Sequence, residues 1–93
     1  MLFYVVVYDI PCGKRRKKVS DLLEGYGQRV QYSVFECVLP QSKYDELRLR
    51  LNKQVKLEED SVRFYPLSRH TLGQVETWGV GPSVTELPRS VII

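Results

Sequence analysis

The run Leu2–Tyr8, LFYVVVY, is apolar at every position and stops abruptly at Asp9. A run with no polar alternation leaves no solvent face. It therefore reads as a strand covered on both sides and interior to its sheet. Ile10-Pro11-Cys12-Gly13 is a loop. Val19, Leu22, Leu23 and Tyr26 then fall at i, i+3, i+4 and i+7, which predicts a helix over Lys14–Tyr26, stopped by Gly25 and Gly27. Arg29–Leu39 alternates and reads as one long strand or as two short ones bent near Ser33.

The second half repeats the pattern. Ser42–Lys53 is a second helix, with Ser42 at its N-cap, Asp45 at N3, and Tyr44, Leu47 and Leu51 as its buried stripe. Ser61–Leu67 is a strand with Val62 and Phe64 on one face. Pro66 lacks a donor and sends that strand to a sheet edge. Gln74–Val80 reads as a fifth strand around Trp78. The order β-α-β-β-α-β is the split βαβ pattern of an α+β, ferredoxin-like domain. Right-handed crossovers put its first strand inside and its fourth at an edge. The domain is expected over residues 1–80, with a tail over 81–93 that ends in Val91-Ile92-Ile93.

A chain of 93 residues is one domain with a modest core, so dimerisation would help it. Its 43% hydrophobic content speaks against disorder. The net charge of +3 is small, but five of the six Lys/Arg in residues 1–40 are contiguous at Lys14–Lys18, so the basic charge forms a patch. The two cysteines, Cys12 and Cys37, have no zinc spacing, and Cys37 reads as a core thiol. The apolar start lacks a basic region before it, and no stretch is long enough to span a bilayer. A cytoplasmic protein without membrane contact is expected.

Three features can carry chemistry. Asp9 ends a buried strand, where open α/β sheets place ligands, and a carboxylate there can hold Mg²⁺. Capping of the Ile10–Gly13 turn is the alternative. Lys14-Arg15-Arg16-Lys17-Lys18 opens a helix, where cations oppose the macrodipole; a polyanion would compensate. Arg15 and Arg16 flank the apolar stripe, while Lys14, Lys17 and Lys18 point more to solvent. In Arg29–Phe35, aromatics beside an arginine can stack on bases, or Tyr32 and Phe35 can simply be core. His70 has no partner in the sequence and reads as a surface residue. There is no Ser/His/Asp set, glycine-rich phosphate loop or RNA-recognition-motif signature.

Val7-Tyr8-Asp9-Ile10, the basic run before Val19 and Leu22-Leu23, Tyr26-Gly27 and Arg29-Val30-Gln31-Tyr32-Ser33-Val34-Phe35-Glu36 together resemble the second of the two universal CRISPR-associated adaptation proteins. The resemblance covers about residues 2–80. It implies a twofold homodimer whose fifth strand crosses to the partner's sheet. It also implies that Asp9 and its symmetry mate face each other and bind one Mg²⁺. Members are described as metal-dependent endoribonucleases or as acting on duplex DNA. In adaptation, the dimer bridges a partner integrase and holds the protospacer duplex. The resemblance assigns function to Arg16 and Arg29, with Tyr8, Ser33 and Phe35 nearby. Lys18 stands where several members have arginine, and so loses the bidentate fork. Arg15 joins these as a nucleic-acid contact through its place in the patch. Duplex-binding subunit, Mg²⁺-dependent endonuclease and plain RNA-binding module are the three functions to weigh. With one strand-end carboxylate per chain and no evident general base, any nuclease would be slow.

Overall fold

The computed structural model describes residues 1–88. Its elements are β1 (Leu2–Asp9), α1 (Gly13–Glu24), β2 (Gln28–Gln31), β3 (Val34–Leu39), α2 (Gln41–Gln54), β4 (Ser61–Leu67) and a short α3 (Arg69–Leu72). The sheet order is β2-β3-β1-β4 with every neighbouring pair antiparallel. This is the ferredoxin-like arrangement. β1 is interior and β4, with Pro66, lies at an edge. No helix among the described residues is long and apolar enough to cross a membrane.

Strand alternation builds two unlike faces. Val6, Tyr8 and Ile10 of the β1 segment, with Phe35, Cys37 and Leu39 of β3, are buried on one face against Val19 and Leu23 of α1 and Tyr44, Leu47 and Leu51 of α2. Each such side chain contributes ~1.5–3 kcal/mol by leaving water. Tyr44 stacks on Tyr4 with ring centroids 3.9 Å apart and meets Phe64 edge-on at 6.1 Å, which docks α2 across β1 and β4. Burial, and then a hydrogen bond with Tyr4, push the Tyr44 phenol up to about 12. The opposite, helix-free face carries Phe3, Val5, Val7 and Asp9 of β1, with Val34, Glu36 and Val38 of β3 beside them. The apolar run thus has both faces covered or half-covered, as its lack of alternation requires.

Several boundaries differ from the sequence reading. Arg29–Leu39 is two strands, joined at Tyr32-Ser33. Two-residue hairpin loops favour turns with positive φ, yet no non-glycine residue has one here. A register shift between Arg29 and Gln31 accompanies the turn and takes up the mismatch in twist. Ser42 is not the N-cap of α2. The helix begins one residue earlier, because the Pro40 carbonyl already accepts from the amides of Lys43 and Tyr44. The polar stretch after β4 folds into α3, where Ser68 and Thr71 bond reciprocally to each other's backbone amides.

Gln74–Val80 forms no strand within the chain. The segment leaves its own sheet at α3 and does not pair with the open edge of β4, and Trp78 is 89% exposed. Beyond it the chain returns to the helix-free face. The Thr85 amide donates to Glu36 Oε1 at 2.8 Å, and Arg69 donates to the carbonyls of Leu87 and Pro88. The apolar end Val91-Ile92-Ile93, expected to dock on a partner, lies outside the described residues.

Candidate nucleic-acid interface

The N-terminus of α1 meets the C-terminal end of β1 and the β2–β3 turn. Three features fix this junction. The Tyr8 amide donates to the Ser33 carbonyl at 3.1 Å, tying the turn to β1. Arg16 reaches back from α1 and donates to the Ile10 carbonyl at 3.0 Å. Arg29, the second residue of β2, donates to the Tyr32 carbonyl at 2.6 Å and to Ser20 Oγ of α1. Its guanidinium also lies over the Phe35 ring, 4.9 Å from the centroid.

The result is a cavity of about 250 Å³ lined by Tyr8, Gly13, Arg16, Lys17, Ser20, Arg29 and Tyr32. Two arginines converge on it from different elements. Each guanidinium has five N–H donors, so Arg16, with one bond to Ile10, keeps most of its fork. Among the described residues the single acidic contact of Arg29, Glu24 at 3.5 Å, is exposed and offsets little of its charge. The site can take an anion the size of a phosphate.

Of the residues singled out in the sequence, Tyr8, Arg16 and Arg29 meet in this cavity. Phe35 lies buried beneath Arg29, and Ser33 takes part through its carbonyl. Asp9 ends the same strand but belongs by alternation to the helix-free face, opposite Ser61 of β4. It is exposed and does not line the cavity. Glu36, the other carboxylate of the motif region, pairs with Val5, four residues along β1. That is about 13 Å at ~3.3 Å per residue, so it cannot share an ion with Asp9 in one chain. Lys14 and Lys18 are exposed and make no ion pair among the described residues, whereas Lys17 pairs with Asp21 at 2.8 Å.

Arg15, expected from the sequence as a nucleic-acid contact, is engaged within the chain. Its guanidinium donates to both oxygens of Asp60 at 2.9 Å and to Glu59 at 3.0 Å. It braces α1 to the loop before β4, and a phosphate there would have to displace a bidentate carboxylate. The sequence could not reveal this, because Asp60 is 45 positions away. Ser20 was also missed, although its spacing of four from Arg16 puts the two on one helix face.

No group of three or more His, Cys, Asp or Glu gathers among the described residues. Asp9 alone suits a cation that keeps most of its waters and shares phosphate oxygens, which is how Mg²⁺ is commonly held.

Fold and site together define a ferredoxin-like α+β protein with an arginine-lined anion cavity and a free carboxylate at the same strand end. A family model described as CRISPR associated protein Cas2 matches residues 1–75. Over 93 residues, 100% of both chains, the sequence is 63% identical to a protein of Synechocystis sp. named CRISPR-associated endoribonuclease Cas2 3. The crystal structure of Streptococcus pyogenes Cas2 at pH 6.5 aligns with a TM-score of 0.74 at 39% identity, covering 83% of this chain and 99% of that one. A chain of a solved partial Cas6-RT-Cas1–Cas2 complex aligns with a TM-score of 0.75 at 34% identity, covering 83% and 90%. The chain belongs to the Cas2 family of CRISPR-associated proteins.

Proposed function

We propose that this chain works in CRISPR adaptation as a homodimer that holds nucleic acid and bridges a partner integrase. The observation that carries this reading is the convergence of Arg16 and Arg29 on one cavity beside the exposed end of β1. Membership of the Cas2 family, and likeness to a chain solved in a complex with Cas1, give that cavity its context. The exposed lysines of α1 extend the same positive surface, which suits the phosphates of a duplex.

The dimer is supported by what a single chain leaves open. β4 has a free edge, and Val75, Trp78 and Val80 are exposed just beyond it. A second chain could use that edge for its own residues 74–80 and so remove the liability. On the helix-free face beside Asp9, Val5, Val7 and Val34 are only half-buried, which leaves apolar surface for a copy of the chain.

Slow, Mg²⁺-dependent cleavage is the second reading, favoured by the endoribonuclease name of the Synechocystis relative and by the free carboxylate of Asp9. Asp9 and its mate across a twofold axis would hold the ion, which when bound supplies a Lewis acid for a phosphodiester. Arg16 and Arg29 would orient the strand by its phosphates.

The test is a Mg²⁺ titration of cleavage on single-stranded RNA and on duplex DNA, with wild type and Asp9→Ala compared. Asp9→Ala is expected to abolish Mg²⁺-dependent cleavage and to leave duplex binding and co-purification with the integrase intact. Wild-type protein that never cuts above background removes the nuclease reading. Duplex binding with an unchanged salt slope in Arg16→Ala/Arg29→Ala removes the cavity as the footprint.

A further inference from the structure

The β2–β3 turn carries a residue that neither the fold nor the arginine cavity explains. Tyr32 is 89% exposed, whereas Phe35, three residues on in the same motif, is fully buried. Two-residue turns are usually filled by Gly, Asn or Asp. A tyrosine there leaves a large apolar ring in water with no folding return. The turn is also held firmly: the Arg29 guanidinium donates to the Tyr32 carbonyl, and the Tyr8 amide donates to that of Ser33.

We infer that Tyr32 is a stacking platform for an unpaired nucleotide whose phosphate sits in the Arg16–Arg29 cavity. This inference rests on the cavity being a nucleic-acid site and adds the kind of strand it takes. The cavity, at about 250 Å³, is below the ~300–1,000 Å³ usual for enclosing a small molecule. It has room for a phosphate and its sugar, so the attached base must lie outside. Tyr32, which helps line the cavity, is the aromatic residue available there. Stacking needs a bare base face. In a duplex both faces of each internal base are covered by neighbours, so the ring discriminates for single-stranded segments, overhangs or loops. Because any base offers such a face, the site has little sequence preference. Tyr8 and Phe35 cannot take this role, since both rings are buried in the core.

The experiment measures equilibrium binding of a fluorescein-labelled oligouridylate ten-mer and of a blunt DNA duplex to the full chain, across wild type, Tyr32→Phe, Tyr32→Leu and Tyr32→Ala. Thermal melting checks that the exposed substitutions leave the fold intact. Tyr32→Leu and Tyr32→Ala are expected to weaken the single strand by at least about fivefold, the lower end of one stacked base. Tyr32→Phe should match wild type, and duplex binding should not change. Unaltered single-strand binding in Tyr32→Leu overturns the inference, as does an equal loss on the duplex. If duplex binding is instead insensitive to Arg16→Ala/Arg29→Ala, the underlying site assignment is what fails.

Discussion

The Arg29 guanidinium lies 4.9 Å from the centroid of the Phe35 ring, so an arginine of the anion cavity rests directly on the hydrophobic core. The ring fixes where the cation sits, and Ser20 and the Tyr32 carbonyl fix its orientation. Arg29→Lys keeps the charge but loses the planar fork that satisfies all three contacts. Nucleic-acid affinity is expected to fall for Arg29→Lys nearly as far as for Arg29→Ala, in fluorescence anisotropy at fixed salt. Arg29→Ala should also lose about 0.5–1 kcal/mol of stability with the cation–π contact, read from urea midpoints, and Arg29→Lys less, since an ammonium keeps part of it.

The close approach of Gly27 to β3 sets the path from α1 into β2, and so the position of Arg29. A Cβ at Gly27 would come within 2.5 Å of both Cys37 Sγ and the Glu36 carbonyl oxygen. The carbonyl belongs to a paired strand and cannot swing aside. Gly27→Ala is therefore expected to cost ~1–3 kcal/mol in urea unfolding, as overpacking does. Gly25→Ala, whose nearest contact is 3.4 Å, should cost less.

The two thiols should behave as opposites. Burial pushes Cys37 up to about 11, while the amides of Arg15 and Lys14 at the start of α1 hold the half-exposed Cys12 below its ordinary value. Iodoacetamide at pH 7.5 is expected to alkylate Cys12 in the native protein and Cys37 only on unfolding, as read by peptide mass spectrometry. Because the folded value of Cys37 is raised, its share of stability is intact below the free-thiol range near ~8.5 and is lost as pH climbs toward 11. Cys37→Ser should remove that alkaline component of the melting curve.

What the sequence made legible followed from local rules. The unbroken run Leu2–Tyr8 required an interior strand, Pro66 an edge, and the helical spacings of Val19–Tyr26 and Tyr44–Leu51 two helices on one face. Parity within Arg29–Phe35 could not decide between exposure of Tyr32 and of Phe35. That depended on a turn at Tyr32-Ser33 and a register shift before it, neither marked by a glycine or asparagine. The helix start at Gln41 was hidden because Ser42 is the better cap by composition, while Pro40 supplies the carbonyl. Contacts distant in sequence, such as Ser20 with Arg29 and Asp60 with Arg15, carry no local signature. A reading of the basic run by charge alone therefore gave Arg15 and Arg16 the same role.

That pair is separable by experiment. Arg15 holds Asp60, whose side chain is fully shielded from solvent, and its donated hydrogen bonds set the carboxyl below the usual carboxylate range, helped by the Lys56 amide. A depressed folded value means the ion pair stabilises at pH above the free-carboxyl range near ~3.9, and that this stability is lost as pH falls through the lowered value. Asp60→Asn should therefore melt below wild type at pH 7, and the two curves should converge on acidification toward pH 3. Arg15→Ala should lose stability at pH 7 as Asp60→Asn does, yet keep the duplex affinity that Arg16→Ala loses. Retained stability with lost affinity in Arg15→Ala would return that residue to the nucleic-acid surface.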